Sequence, residues 1–154
     1  MKQYDQAEAW RRKCLAVVKE QHGPESAEYA IELTGLGSNL LQQDKLADAE
    51  PFLQESLAIR RKLQPEVWTT FNTQSLLGAA LLGQQKYADA EPHLVQGYEG
   101  MKKSEKDLGH KHHGPPTRQR LTEALERLVQ LYDAWDKPVD AAKWRKELAA
   151  VPAQ

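Results

Sequence analysis

The chain has 154 residues, with 21 basic and 22 acidic side chains and a formal net charge of −1. This balance disfavours a surface built to neutralise nucleic-acid phosphates, and no apolar run is long enough to cross a membrane. The N-terminal residues lack the apolar stretch of a signal peptide, and the one cysteine cannot form an internal disulfide. A cytoplasmic protein of ordinary single-domain length is therefore expected.

The chain is predicted to be helical almost throughout. Strong helix formers dominate the sequence, and Gly-Pro and Gln-Pro pairs interrupt it. The predicted elements are seven helices, in chain order 3–20, 26–43, 46–63, 66–84, 87–107, 117–135 and 138–149. Their short connections make sequential helices antiparallel neighbours. The predicted fold class is all-α.

One short phrase recurs along the chain. Its two clear copies read DKLADAE and QKYADAE, and all four copies stand at 3–8, 44–50, 85–91 and 136–142. Equivalent positions in the copies are Tyr4, Leu46, Tyr87 and Pro138, spaced by 42, 41 and 51 residues (46−4, 87−46, 138−87). A period of this length indicates stacked helix pairs, in which each pair leaves an apolar face for the next to cover. We predict an antiparallel helix-pair solenoid.

Small and large residues in each repeat predict how its helices pack. Gly37 and Gly78 each stand 12 residues before an alanine (49−37, 90−78), and they would let paired helices approach closely. Large residues recur four apart in the first helices, at Leu36, Leu40, Leu77, Leu81, Leu128 and Tyr132. Cys14 shares a register with Ser56 and Gly97, so we interpret it as a small packing residue rather than a nucleophile.

These residues carry a family resemblance. The Leu-Gly pairs at 36–37 and 77–78, the Ala-Asp-Ala phrase and the small residues at 49, 90 and 141 resemble the tetratricopeptide repeat. The 41–42-residue period and AEPFL…SLAIRRK resemble its longer variant in kinesin light chains and many bacterial signalling proteins. The last repeat is similar to tetratricopeptide regions attached to bacterial serine/threonine protein kinases. The resemblance implies a right-handed superhelix with a peptide groove on its concave face.

The resemblance also implies how the chain is organised. A single tetratricopeptide-like domain would cover 1–154, with a half repeat at 1–22, repeats at 25–64, 65–107 and 117–150, and a loop insertion at 108–116. The half repeat supplies only a second helix, so we expect upstream repeats or a second copy of the chain to cover its open edge. The last spacing is ten residues longer than the one before (51−41), and Lys102–Pro116 is interpreted as a solvated, charged loop.

The first helices would line the implied groove. The corresponding positions here are Thr34, Ser38, Gln42, Asn72, Ser75, Ala79, Glu123, Glu126, Gln130 and Asp133. Some family members grip a C-terminal carboxylate with Lys, Arg and Asn, and those cations are missing from these positions. We therefore predict that the groove accepts an extended neutral or basic protein segment and rejects an acidic tail.

No group of residues indicates catalysis, a cofactor or a metal. Gly35-Leu-Gly37 begins like a dinucleotide fingerprint, but the third glycine and the preceding strand are missing. His110, His112 and His113 fall in the polar loop, without the three or four fixed ligands of a metal site.

The remaining basic and aromatic residues have structural interpretations. The basic triplets 11–13 and 60–62 are interpreted as solvated helix faces, and the tryptophans as packing residues, at Trp10, Trp68, Trp135 and Trp144. We predict a non-enzymatic scaffold that binds a protein or peptide. The alternative is a regulatory or assembly fragment of a larger bacterial signalling protein, such as one with a kinase domain.

Overall fold

The computed structural model describes residues 2–106 and 118–151. In these residues there are seven helices and no strand: α1 (Lys2–His22), α2 (Ala27–Gln42), α3 (Leu46–Leu63), α4 (Trp68–Gly83), α5 (Tyr87–Lys106), α6 (Arg118–Ala134) and α7 (Pro138–Ala149). Every predicted helix is present, with boundaries within two residues of those expected, and the all-α class is confirmed. None of the described helices is long and apolar enough to span a bilayer.

The helices form two compact units, Met1–Pro65 and Glu66–Gln154. In the N-terminal unit, α2 packs against both α1 and α3. In the C-terminal unit, α4 packs against α5, α5 against α6 and α6 against α7, and α4 also meets α6. Helices that follow one another in the sequence are thus neighbours within each unit, as the short connections predict.

The same turn joins the two helices of every pair. Asp44, Gln85 and Asp136 all have a positive φ, of 58°, 62° and 54°. The next residue donates its backbone N–H to a carbonyl five residues earlier, in the pairs Lys45–Leu40 (3.0 Å), Lys86–Leu81 (3.0 Å) and Lys137–Tyr132 (2.9 Å). A left-handed residue with this hydrogen bond satisfies carbonyls at a helix end. The recurring phrase therefore specifies a turn as well as the start of the second helix.

Glycine sets the spacing within the pairs α2–α3 and α4–α5. A Cβ built on Gly37 would lie 2.6 Å from Leu53 Cγ, and one on Gly78 would lie 2.6 Å from Leu94 Cγ. In both pairs the leucine follows the glycine by 16 residues (53−37, 94−78), and both leucines are fully buried. The close approach predicted from the glycines is confirmed, and the six large first-helix residues predicted as core are also buried.

A hydrogen bond, an ion pair and a contact between two aromatic rings connect α7 to α5. The Tyr98 hydroxyl donates to Glu147 Oε1 (2.8 Å), and Lys102 Nζ pairs with the same carboxylate. The Trp144 ring meets the Tyr98 ring edge-on, at 5.7 Å between centroids. Burial, followed by the hydrogen bond to Glu147, raises the pKa of Tyr98 to about 12.

Three interpretations of the sequence are corrected by the structure. Trp10 is not a packing residue but is 68% exposed, because α1 turns this face away from α2. Arg60 does not belong to a solvated face, since it is 7% exposed and burial lowers its pKa. Residues 102–106 are the end of α5 rather than a loop, and Ser104 among them is buried. His110, His112 and His113 lie outside the described residues.

Candidate protein-binding face

The groove positions of α2 lie in the N-terminal unit, and one of them, Thr34, forms part of the contact between α2 and α3. Thr34 Oγ1 donates to the Ala30 carbonyl (3.0 Å) and lies 2.7 Å from Ser56 Oγ of α3. Ser56 itself is buried and donates to the same carbonyl (2.7 Å). The Thr34 hydroxyl therefore belongs to the α2–α3 contact. Ser38 is half-buried and Gln42 is exposed.

The groove positions of α4 are less accessible than the sequence suggests. Ser75 is buried against α5, where a Cβ on Gly97 would lie 2.9 Å from the Ser75 nitrogen. Asn72 and Ala79 are half-buried, and Asn72 Oδ1 is a buried oxygen with no hydrogen-bond partner among residues 2–106 and 118–151. Only part of this helix face can therefore meet a ligand through its side chains.

Arg127 joins α4 to α6, and it is the residue that the groove mapping missed. Its Nη1 donates to Ser75 Oγ (3.2 Å), and its Nη2 lies 3.5 Å from Glu123 Oε2. The side chain is 17% exposed. Burial lowers the pKa of the Arg127 guanidinium, while the Glu123 carboxylate acts in the opposite direction.

The carboxylate of Glu123, a groove position on α6, has several partners. Glu123 accepts from Arg120 Nη1 (3.0 Å) and Gln119 Nε2 (2.9 Å) in addition to its ion pair with Arg127. This carboxylate is compensated, so the α6 surface is not simply acidic, and a cation does stand beside the groove positions. The sequence held a signal for it, because Arg127 follows Glu123 by four residues, the spacing of a helical ion pair.

The other α6 positions differ in what they contact. Glu126 and Gln130 are exposed. Asp133 is also exposed, but both of its carboxylate oxygens accept from Arg145 Nη2 of α7 (2.5 and 2.6 Å). We use the name α4/α6 face for the surface that remains, formed by Asn72, Ala79, Glu123, Glu126, Arg127 and Gln130. Within residues 2–106 and 118–151, no cluster of three His, Cys, Asp or Glu side chains could hold a metal ion.

Comparison with known proteins agrees with this architecture. Residues 1–62 match the model of the tetratricopeptide repeat family. The crystal structure of BtubC (BKLC) from P. vanneervenii is similar over 97% of this chain, with a TM-score of 0.75 and 18% sequence identity. Residues 1–62 thus carry tetratricopeptide repeats, and the chain has the fold of the solved BtubC structure.

At 18% identity, the likeness to BtubC shows the fold alone, and the chain spans 56% of that protein's length. No curated protein matches the chain. Tetratricopeptide repeats are in general protein-interaction scaffolds, and they are typically non-catalytic.

Proposed function

We propose that the whole chain is a tetratricopeptide repeat protein, a non-catalytic scaffold that binds an extended, neutral or basic protein segment on the α4/α6 face. Arg127 is the observation that carries the proposal. Its guanidinium contacts Ser75 on α4 and Glu123 on α6, so both helices are held in place before a ligand arrives. A surface fixed in advance loses less conformational entropy on binding.

The exposed charge on this face supports a neutral or basic ligand. Arg127 is mostly buried, and Glu123 is compensated by two arginines and one amide. Glu126 and Gln130, by contrast, are exposed. An incoming segment would therefore meet a carboxylate and an amide, which can bind backbone N–H groups or a Lys or Arg side chain.

Calorimetry with three peptides of equal length tests the ligand preference. One peptide is neutral, one carries several lysines, and one carries glutamates at the same positions. We expect the neutral and basic peptides to bind and the acidic one to bind at least tenfold more weakly (~1.4 kcal/mol). Glu126→Gln should reduce the preference for the basic peptide, whereas Glu99→Gln, at an exposed position of α5, should not.

Substitution of Arg127 tests the location of the site. Arg127→Ala should weaken binding of the neutral peptide at least tenfold, because the contact between α4 and α6 is lost. Arg61→Ala, at an exposed position of the N-terminal unit, is the matched control and should bind normally. Tighter binding of the acidic peptide, or no binding of any peptide, contradicts the proposal.

A further inference from the structure

Helix α1 presents an exposed apolar stripe. Ala7, Trp10, Cys14 and Val17 follow the three-and-four spacing of a single helix face. Trp10 is 68% exposed and Val17 is 49% exposed, while Ala7 and Cys14 are half-buried. We call these four residues the α1 stripe. The adjacent side of α1, with Leu15 and Val18, is the one that packs on the core of the N-terminal unit.

The equivalent positions of the other repeats are covered by a first helix. Cys14 corresponds to Ser56 and Gly97 (56−14 = 42, 97−56 = 41). Ser56 is buried and donates to the Ala30 carbonyl of α2. Gly97 lies so close to α4 that a Cβ would be 2.9 Å from the Phe71 carbonyl oxygen. The α1 stripe thus occupies repeat positions that contact a first helix in the other repeats.

A cation stands where the other repeats have leucine. Arg11 corresponds to Leu53 and Leu94 (53−11 = 42, 94−53 = 41), which pack over Gly37 and Gly78. The Arg11 guanidinium instead lies across the backbone of α2 at Gly35, where a Cβ would overlap it.

The Arg11 guanidinium remains accessible at this position. Its Nη1 forms an ion pair with Glu32 Oε2 at 3.9 Å, which is longer than a hydrogen bond, and its side chain is 41% exposed. A helix docked on the α1 stripe would therefore meet a guanidinium with donors to offer, at the place where α2 and α4 receive a leucine.

We propose that the α1 stripe docks an amphipathic helix of a partner protein that carries a carboxylate where α2 and α4 carry glycine. Apolar side chains of that helix would cover Trp10 and Val17, and the carboxylate would pair with Arg11. A guanidinium–carboxylate pair at a partly desolvated contact gives specificity as well as attraction. This face lies in the N-terminal unit, so the inference does not depend on the α4/α6 face.

The charges argue against a second copy of this chain as the occupant. Two α1 helices that pair through the stripe about a two-fold axis would run either parallel, in register, or antiparallel around the midpoint of residues 7 and 17. Arg11 and Lys13 of one copy would then lie beside the same two residues of the other. Like charges this close are unfavourable on paired helices, whereas an acidic partner helix relieves them.

Two peptides taken from this chain test the required chemistry. The first has the sequence of residues 26–43, which includes α2, and the second is the same peptide with Gly37→Glu. Calorimetry should show at least tenfold tighter binding of the Gly37→Glu peptide to the unmodified protein. With the Arg11→Leu protein the preference should reverse, because leucine fits against glycine. Both comparisons use the intact chain.

Exposed apolar residues on different helices provide a matched pair of control variants. Trp10→Glu should abolish binding of both peptides, and Val139→Glu, at an exposed position of α7, should leave it unchanged. Equal affinities for the two peptides, or no binding of either, would overturn the inference. A dimer seen by light scattering that Trp10→Glu dissociates and Val139→Glu does not would also overturn it, since the occupant would then be a second copy.

Discussion

Replacement of Gly78 by alanine is the sharpest test of how the helix pairs pack. The added Cβ would lie 2.6 Å from Leu94 Cγ and 3.1 Å from the Leu94 backbone nitrogen. Carbon atoms prefer about 3.5–4.0 Å. A backbone atom cannot swing aside as a side chain can, so α4 and α5 must move apart.

The size of the effect follows from two opposing contributions. Overpacking of this kind costs about 1–3 kcal/mol. The better helix propensity of alanine offsets about 0.5–1 kcal/mol of that cost. The free energy of unfolding should therefore fall by about 1 kcal/mol, within a range of about 0–2.5 kcal/mol, and Tm by about 2–4 °C for each kcal/mol in a chain of this length.

Thermal unfolding followed by circular dichroism measures this change. Gly83→Ala is the matched control, because Gly83 is an exposed residue at the end of the same helix. It should leave Tm unchanged or raise it slightly. If Gly78→Ala melts at or above the wild-type temperature, the contact between Gly78 and Leu94 does not set the helix spacing, and the packing argument is wrong.

Three further substitutions probe contacts that fix the helices. The hydrogen bond from Lys45 lowers the pKa of Glu8 to about 2 from 4.5, so its stabilisation is complete above pH 4.5 and is lost as the pH falls toward 2. The Tm difference between wild type and Glu8→Gln should shrink over that range, and a constant difference would contradict this. Tyr98→Phe loses the hydrogen bond to Glu147 and should cost about 0.5–1.5 kcal/mol in urea unfolding. Ser56→Ala removes one of the two hydroxyl donors to the Ala30 carbonyl and should cost about 0.5–1.5 kcal/mol, and an unchanged urea midpoint would refute that role.

The helices and their register could be predicted from the sequence because the same pattern of residues recurs in several repeats. The phrase around Leu46 and Tyr87 fixes a turn, and the spacing from it to Gly37 and Gly78 fixes the packed face. The same pattern occurs in two pairs, so a local ambiguity in one is resolved by the other.

The roles of the polar residues could not be predicted in the same way. Whether Thr34 and Ser75 face a ligand or a neighbouring helix depends on side chains that lie 22 and 52 residues away. Arg127 could not be predicted as a groove residue because the groove positions follow from the repeat register alone. The register does not show how far the long side chain next to Glu126 reaches. Trp10 was misjudged because composition favours buried tryptophan, whereas its exposure depends on which helix covers α1.

The central claim is that the α4/α6 face binds an extended protein segment, and an NMR titration tests it most directly. Backbone amide shifts would be followed while the neutral peptide is added to the labelled, intact chain. We predict that the largest changes occur in residues 72–79 of α4 and 123–130 of α6, and that Arg127→Ala removes them. Changes confined to α5 and α7, or no changes at saturating peptide, would contradict it.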